Sequence, residues 1–157
     1  MLFRSVVARP TLVDLDYPYH TNFKTFENIH WEHPAETKIT EDRLRRTASK
    51  LLELPEGFEP HPRISKILGE RHKMASGDQL IDWGFGETLA YATLVQEGYP
   101  VRLSGQDCGR GTFFHRHAVL HNQLENNVHI PLEHLMEYQA DFTVIDSLLS
   151  EEAVLGF

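Results

Sequence analysis

The side chains best suited to chemistry are concentrated between residues 101 and 117, in the stretch VRLSGQDCGRGTFFHRH. This stretch combines Gln106 and a single cysteine with the closely spaced His115 and His117, and glycines separate these groups. Glycines at this density indicate a backbone that turns tightly or that another group approaches closely. Open α/β folds place their ligand sites just beyond the carboxyl ends of buried strands, and the start of the stretch is typical of such a strand. The pattern therefore predicts a binding or catalytic loop rather than a plain core element.

Metal binding is one interpretation of the histidines, of which the chain has ten. His115, His117 and His121 are spaced by two and four residues, and His117 and His121 would share a face if the segment were helical. Zinc sites need a third protein ligand and usually include cysteine or a glutamate-flanked histidine pair on a helix. Because Arg116 lies between two of the histidines, a divalent cation would meet a neighbouring positive charge. Polar loop histidines are the alternative, and the pattern favours them.

Two further kinds of chemistry fit the glycine-rich segment less well. The sequence GQDCGRG has the composition of a phosphate-binding loop, but it lacks both the GxGxxG register and the GK[ST] ending. Cys108 has histidines within ten residues, and Arg110 is a group that would lower the pKa of its thiol if the two were in contact. Proximity in sequence is not catalytic geometry, so a small residue in a tight loop is the favoured interpretation of Cys108.

A carboxylate at a helix start is the fourth candidate. Glu151 follows Ser150 directly after a predicted strand and loop, and an acidic side chain there favours the positive end of the helix dipole. The functional alternative is a carboxylate that hydrogen-bonds a ligand nitrogen at the edge of a sheet. From the pattern alone the dipole interpretation is favoured, and the same holds for Asp82 and Glu87 near the start of an earlier helix.

Composition and charge limit the class of protein. The 157 residues suffice for one domain with a real core, and 41% of them are hydrophobic and 24% charged, as in ordinary globular proteins. A net charge of −8 argues against nonspecific binding to nucleic acid or to an anionic membrane surface. The single cysteine excludes an intrachain disulfide and is typical of an intracellular protein. The sequence contains no apolar run as long as a membrane span.

Prolines and irregularly spaced aromatic residues indicate an arm or linker over residues 1–39, followed by a more regular region over residues 40–157. The elements predicted for this region are a helix that begins after Thr40, a short helix near Pro62, a main helix over 80–98, a strand over 101–105, an exposed connection over 118–128, a short helix over 131–138, a strand over 141–147 and a helix after Ser150. The buried stripe of the main helix is predicted to consist of Leu89, Ala90, Thr93 and Leu94. A helix, a turn and a strand that opens into a glycine-rich loop form half of an α/β repeat, so the predicted fold class is α/β with a parallel sheet.

The end of the sequence indicates an incomplete domain. Two strands are too few to form a stable sheet, and the last helix has barely two turns. This helix also ends on an apolar run, AVLGF, without a polar cap. We therefore expect the sequence to be a piece of a larger protein.

Four segments of unusual composition occur in unbroken order within residues 40–157: IDWGFGETLAYATLVQEG, VRLSGQDCGRGTFFHRHAVLHNQ, PLEHL and SLLSEEAVLGF. Together they resemble the thiamine diphosphate-dependent first component of the 2-oxoglutarate dehydrogenase complex. The resemblance implies the N-terminal part of a domain that binds the aminopyrimidine ring of the cofactor, preceded by an irregular arm and helices. In this family the diphosphate and Mg2+ are held by an earlier domain that these residues do not match. The isolated residues are therefore not expected to turn over substrate.

The resemblance implies roles for Glu151, Gln106, His115 and His117. Glu151 stands in the Leu-Ser-Glu motif, whose glutamate touches the aminopyrimidine ring nitrogen and shares its proton. Gln106 stands in the Ser-Gly-Gln-Asp motif of the family's active site, where an amide is suited to hydrogen-bonding oxygens of the substrate. His115 and His117 belong to the HRH loop and are expected near the site, where they help to recognise an acidic substrate. Metal ligands are not expected within this chain.

The function implied by the resemblance is oxidative decarboxylation of 2-oxoglutarate and transfer of the succinyl group to a lipoyl group of dihydrolipoyl succinyltransferase. The family's enzyme is a homodimer in a multienzyme complex of the tricarboxylic acid cycle, located in the bacterial cytoplasm or the mitochondrial matrix, with the cytoplasm favoured here. Two alternatives stay open. One is a noncatalytic binding or assembly module that retains the fold, and the other is a metal-dependent hydrolase that uses the histidines.

Overall fold

The computed structural model describes Asn28 and residues 30–156, with only the backbone described for Glu151. The chain divides into two compact units, residues 1–37 and residues 38–157. Within the first unit, the described residues are exposed and include a turn, and Trp31 keeps 85% of its surface accessible. Residues 1–27 of the predicted arm lie outside the described part of the chain.

Helix α1 spans Glu41–Leu51 and begins where the sequence predicts. Thr40 is its N-cap, since the Thr40 side chain accepts a hydrogen bond from the backbone N–H of Arg43 at 3.3 Å. Ala48 and Leu51 of its apolar face are buried in the core. Local capping and an apolar stripe were thus sufficient to predict this helix.

Helix α2 spans Pro62–Ser76, so the expectation of a short helix is wrong. Glycine inside a helix lowers its intrinsic stability, yet α2 continues past Gly69 because its following turns pack into the protein. Arg71 and Met74, which lie in those turns, are both buried. The helix ends at Gly77, whose φ of 89° gives the left-handed conformation that glycine adopts at low cost.

Helix α3 spans Trp83–Gln96, and most of its predicted buried stripe is wrong. Leu89 is buried as predicted, whereas Leu94 is 41% exposed. The buried face consists of Gly84, Phe85, Thr88, Leu89, Ala92 and Val95. Because apolar residues occur on nearly all sides of this helix, their spacing does not identify the side that faces the core. The end of the helix is as predicted, with Gly98 in the left-handed conformation at a φ of 89°.

The strands of the described residues are β1 (Val101–Gly105), β2 (Leu120–His121), β3 (Val128–His129) and β4 (Phe142–Asp146). Strands β1 and β4 pair in parallel, with Val101 opposite Phe142 and Gly105 opposite Asp146. Both strands are predicted by the sequence, and the fold class is α/β. Since the strands are parallel, their carboxyl ends meet at one edge of the sheet, and the segments that follow Gly105 and Asp146 start side by side.

Strands β2 and β3 form a short antiparallel ladder in which Leu120 lies opposite His129. The expectation of an exposed connection over residues 118–128 is therefore wrong in part, because Ala118 and Leu120 are buried. The polar residues of this segment form the turn, while its first residues pack against distant parts of the chain. A single bridge between Pro60 and Asn122 is one such long-range contact.

Only a 3-10 turn, Pro131–Glu133, forms within the predicted helix over residues 131–138. The side chain of Gln139 takes the place of helical hydrogen bonds in this segment. Its oxygen accepts from the backbone N–H of Leu135 at 2.8 Å, and its nitrogen donates to the carbonyl of Leu132 at 2.7 Å. Backbone groups that a side chain satisfies in this way do not need a helix.

Helix α4 spans Glu151–Gly156 and follows β4, as predicted. The Ser150 hydroxyl accepts a hydrogen bond from the backbone N–H of Ala153 at 3.4 Å, which is the geometry of an N-terminal cap. No helix within the described residues has the length and apolar character needed to cross a membrane.

Candidate active site

The segment between Gly105 and Ala118 is a compact loop rather than an extended connection. Asp107, Phe114 and His117 have φ values of 51°, 55° and 48°, in the left-handed region that side chains rarely adopt. Gly111, with a φ of 83°, also lies in this region. The loop is closed by backbone hydrogen bonds, including 2.8 Å from the N–H of Gly111 to the carbonyl of Asp107. Such a conformation persists only where surrounding contacts hold it.

Gln106 lies at the carboxyl end of β1, beside the start of α4. It is exposed and lines a cavity of about 410 Å³ together with Gly105, Ser150, Val154 and Leu155. The backbone of Glu151 begins α4 at the edge of this cavity, directly after Ser150, whereas the Glu151 side chain lies outside the described residues. The fold therefore brings Gln106 next to the segment that carries Glu151, although 45 positions separate them in sequence.

His117 is buried, and its Nε2 lies 3.0 Å from the carbonyl oxygen of Phe114. It lines a second and larger cavity, of about 740 Å³, with Arg110 and His121 among the other lining residues. Burial, followed by the positive charges of Arg71 and Arg110, lowers the pKa of His117, and the contact with the Phe114 carbonyl opposes this only in part. His117 is accordingly neutral near pH 7.

His115 points in another direction and is not among the residues that line the larger cavity. Its Nε2 lies 3.5 Å from a carboxylate oxygen of Glu87, and its Nδ1 is buried without a hydrogen-bond partner among the described residues. The ring is also close to Gly111, where an added Cβ would lie 2.5 Å from the His115 ring. The two histidines of the HRH motif thus occupy different surroundings.

Glu87, for which the sequence pattern favoured a simple dipole role, has specific partners in the structure. Its carboxylate accepts hydrogen bonds from Arg116 at 2.7 and 3.0 Å and from the Tyr91 hydroxyl at 2.6 Å. Burial alone would raise the pKa of Glu87, but the hydrogen bonds from Arg116 and Tyr91 outweigh it and the pKa is lowered. Burial and the Glu87 carboxylate together raise the pKa of Tyr91 to about 12. The spacing of Glu87 and Tyr91 is visible in the sequence, whereas the contact with Arg116 arises from the fold.

Arg71 is a second residue that the sequence did not identify. Only 5% of its surface is exposed, and its guanidinium donates to the carbonyl oxygens of His115 at 2.8 Å and Arg116 at 2.9 Å. The guanidinium also lies 5.3 Å from the centre of the Phe85 ring, a favourable cation–π distance. Arg71 therefore links the backbone of His115 and Arg116 to helix α2 through two hydrogen bonds.

Cys108 is buried and its thiol donates to the carbonyl of Ile145 at 3.1 Å. Burial above all, and then the neighbouring Asp146 carboxylate, raise the pKa of the thiol, which disfavours the thiolate that a nucleophile requires. Arg110 forms its ion pair with Asp107 instead of lowering the pKa of Cys108. These contacts favour a packing role for Cys108.

His115, His117 and His121 do not form a metal centre in the structure. Across the described ranges, no group of three or more histidine, cysteine, aspartate or glutamate side chains is arranged to hold a metal ion. His121 is exposed, and His117 directs Nε2 at a backbone carbonyl.

Two buried histidines, His129 and His117, make the stability of the folded chain depend on pH. His129 stacks on His134 with ring centres 5.3 Å apart, and burial followed by the charge of His134 lowers the pKa of His129 below its ordinary value of 6.5, although the backbone of Glu53 opposes this. His117 is shifted in the same direction. Below about pH 6.5 these histidines bind protons in the unfolded chain but stay neutral in the folded chain. The free energy of unfolding therefore falls as the pH falls.

We expect urea unfolding of the chain to show this loss of stability between pH 7 and pH 5. His129→Gln should decline less steeply over that range than the wild type, because it removes one of the groups responsible. His72→Gln, at an exposed position of α2, is the matched control and should keep the wild-type slope. Glu87 and Asp146, whose pKa values are lowered, contribute only at more acidic pH. Equal slopes for His129→Gln and the wild type would contradict the prediction.

Residues 79–157 match the family model described as "Transketolase, pyrimidine binding domain". This range contains the loop, the β1–β4 sheet, α4 and most of the contacts described above. The matched range thus includes the loop residues that line the two cavities, together with the start of α4.

The chain is also similar to proteins named 2-oxoglutarate dehydrogenase E1 component. It is 47% identical over 154 residues to the Cupriavidus necator protein, which covers 96% of this chain and 16% of that protein. It is 52% identical over 130 residues to the Haemophilus influenzae protein, covering 83% of this chain and 14% of that protein. The mitochondrial 2-oxoglutarate dehydrogenase of Schizosaccharomyces pombe is 49% identical over 121 residues, which are 77% of this chain and 12% of that protein. The chain therefore spans a small part of the length of the curated relatives that it matches.

Proposed function

The chain belongs to the transketolase pyrimidine-binding domain family, and we propose on that basis that it forms part of the active site of a thiamine diphosphate-dependent 2-oxoglutarate dehydrogenase component. The observation that carries this proposal is an identity of 47% to 52% with such components over most of the chain. The whole enzyme would decarboxylate 2-oxoglutarate and pass the succinyl group to a lipoyl group of dihydrolipoyl succinyltransferase.

The cavity beside α4 has a lining suited to a flat aromatic heterocycle that carries a few polar atoms. Its walls are the backbone of Gly105 and the side chains of Val154 and Leu155, and Gln106 and Ser150 add polar groups. Small-molecule sites combine an apolar lining with a few polar groups in this way. We assign the aminopyrimidine ring of thiamine diphosphate to this cavity, and we assign the diphosphate and Mg2+ to parts of the enzyme outside this chain. When bound, the cofactor supplies the nucleophilic carbon and the electron sink for decarboxylation.

Glu151 is proposed to hold the proton of the aminopyrimidine ring nitrogen. Support comes from its position, since α4 starts at Glu151 and lies beside the carboxyl end of β1. The Ser150 cap stabilises the first turn of this short helix. A carboxylate is a group that can take and return the proton of a ring nitrogen.

Gln106, His115 and His117 are proposed to bind the acidic substrate. The amide of Gln106 is a neutral donor at the mouth of the smaller cavity. His117 lines the larger cavity beside Arg110 and His121, so a carboxylate entering there would meet the Arg110 guanidinium and two imidazole rings. His115 lies on the same loop, beside Glu87. Its proposed role depends on how that loop is held.

Exposed apolar side chains near the site support a homodimer in which another protein surface covers it. Trp83 and Phe113 are 95% and 86% exposed, and Leu148 and Leu149, which precede α4, are 79% and 87% exposed. Exposed apolar side chains of this size can become buried against another protein surface. We place the enzyme in the bacterial cytoplasm or the mitochondrial matrix, since the relatives include bacterial proteins and one named mitochondrial.

A substrate comparison tests the proposed function. The intact component that carries this segment is expected to reduce an artificial electron acceptor with 2-oxoglutarate when thiamine diphosphate and Mg2+ are present. Pyruvate lacks the distal carboxylate, so we expect its kcat/KM to be lower by about a hundredfold or more, as when a charged binding group loses its partner. Equal activity with pyruvate, or activity independent of the cofactor, would reject this assignment.

A further inference from the structure

Arg116 connects both ends of the loop over residues 109–117 to helix α3. Its Nη1 donates to the carbonyl of Cys108 at 2.8 Å, at the base of the loop, while Nε and Nη2 bind the Glu87 carboxylate on α3. The side chains of Glu87 and Arg116 are only 25% and 16% exposed, so water competes weakly for this pair. One carboxylate on a regular helix therefore determines where the guanidinium, and with it the loop base, is placed.

The loop needs this kind of external support. Phe114 and His117 adopt left-handed φ values that are unfavourable for residues with a Cβ, so local preferences alone do not maintain the loop. Arg71 holds the carbonyls of His115 and Arg116 from the side of α2. Glu87 holds the Arg116 side chain from the side of α3, and its second oxygen lies against His115.

We infer that Glu87 is a positioning residue that, through Arg116, holds the 109–117 loop in the conformation in which His117 and Arg110 line the larger cavity, where the acidic substrate would enter. The inference rests on the proposed function for the identity of that substrate, while the holding of the loop rests on the contacts alone. Glu87 acts through Arg116 and His115, and its carboxylate is occupied by Arg116 and Tyr91. Its charge serves to orient the loop.

A purely stabilising ion pair is the competing explanation, and enzyme kinetics separate the two. Loss of a stabilising pair lowers the melting temperature but leaves KM unchanged in the molecules that are folded. Loss of a positioning contact weakens substrate binding in folded enzyme and frees the loop. A rise in KM at nearly constant kcat is the signature of lost binding that the ground state and transition state share.

Glu87→Gln in the intact component is the test. Glutamine keeps the shape and one acceptor oxygen but removes the charge that holds Arg116. We expect KM for 2-oxoglutarate to rise about tenfold while kcat stays within about threefold of the wild type. Amide hydrogen exchange of residues 109–117 should become faster in the same variant.

Glu97→Gln is the matched control. Glu97 follows the other end of α3 and pairs across elements with Arg43 of α1 at 2.5 Å, so this variant also removes a charge from an interhelical pair. It should leave KM and the exchange of residues 109–117 at wild-type values. An unchanged KM in folded Glu87→Gln, or an equal rise in Glu97→Gln, would overturn the inference.

Tyr91→Phe provides a milder change if Glu87→Gln does not fold. It removes one hydrogen bond to the carboxylate and keeps the pair with Arg116, so KM should rise in the same direction by a smaller factor. A folded Tyr91→Phe enzyme with wild-type KM and loop exchange would overturn the inference. If the intact wild-type component does not act on 2-oxoglutarate, the proposed function fails. In that case, amide hydrogen exchange of residues 109–117 in Glu87→Gln would still show whether Glu87 holds this loop in place.

Discussion

Replacing Glu151 by glutamine is expected to lower the kcat of the intact component by about two to three orders of magnitude, which is the range for removal of a general acid–base group. Glutamine has nearly the same shape and still accepts a hydrogen bond, but it cannot take and return the proton of a ring nitrogen. The Ser150 cap at the start of α4 does not involve the Glu151 side chain, so we expect the variant to retain it. The protein should therefore assemble normally, and the loss should appear in turnover.

Glu152→Gln is the control that the chain itself offers. Glu152 is the next residue of the same short helix, has the same chemistry and is exposed. Both substitutions remove one negative charge from the first turn of α4, so any effect of the helix dipole is shared by the two. Wild-type kcat is expected for Glu152→Gln. Turnover in Glu151→Gln close to that of Glu152→Gln would refute the catalytic assignment.

The magnitudes separate the two explanations of Glu151. A carboxylate that only complements a helix dipole contributes about 0.3–1 kcal/mol to stability and nothing specific to the reaction. Loss of proton transfer at the cofactor corresponds to about 3–4 kcal/mol in the activation free energy, by the conversion of rate ratios to energies. A stability assay and a turnover assay on the same preparation would therefore separate the two explanations. The dipole explanation predicts a small loss of stability and normal turnover, whereas the catalytic explanation predicts a large loss of turnover.

The elements that local sequence predicts correctly are those whose signals lie within a few residues. Thr40 caps α1 through the N–H of Arg43, three positions away, and Gly98 ends α3 by its own left-handed conformation. Strand β1 could be located because a helix end and a glycine-rich loop bound it. Each of these features depends on backbone geometry that the neighbouring residues determine.

The features that sequence did not predict depend on contacts between distant segments. The buried face of α3 is set by the neighbours that pack on it, since the helix is apolar on nearly every side. Strand β2 is defined by pairing with β3, and its polar surroundings are typical of a loop. The pair between Glu87 and Arg116 spans 29 positions, and no local pattern marks either residue as its partner.

The candidate site shows the same division. The resemblance to a known family implied roles for Gln106 and the Leu-Ser-Glu motif, which stay predictions, and the parallel pairing of β1 with β4 explains why both segments lie at one edge of the sheet. It did not indicate that His115 and His117 face different surroundings, nor that Arg71 binds the backbone between them. Motif residues are recognised by type, whereas the residues that hold a motif in place are recognised only from the folded structure.

Gly84→Ala should destabilise the chain by about 1–3 kcal/mol, the usual cost of inserting a methyl group where no space exists. A Cβ at Gly84 would lie 2.5 Å from the carbonyl oxygen of His115 and 3.2 Å from its carbonyl carbon. These are backbone atoms, and the Arg71 guanidinium donates a hydrogen bond to the same oxygen at 2.8 Å. A shift of the loop away from Gly84 would disturb that hydrogen bond, so the strain is shared between α3 and the HRH segment.

Gly86→Ala is the matched control for Gly84→Ala, because it makes the same glycine-to-alanine change in the same turn of α3. Alanine is favoured over glycine in a helix by about 1 kcal/mol, and that gain applies to both variants. At Gly86 the nearest atom to an added Cβ is the Ile81 side chain at 3.8 Å, an ordinary contact. Urea unfolding should show Gly86→Ala at or above wild-type stability and Gly84→Ala clearly below it. If the two variants were equally stable, α3 and the loop would not be in the tight contact from which the positioning of His115 follows.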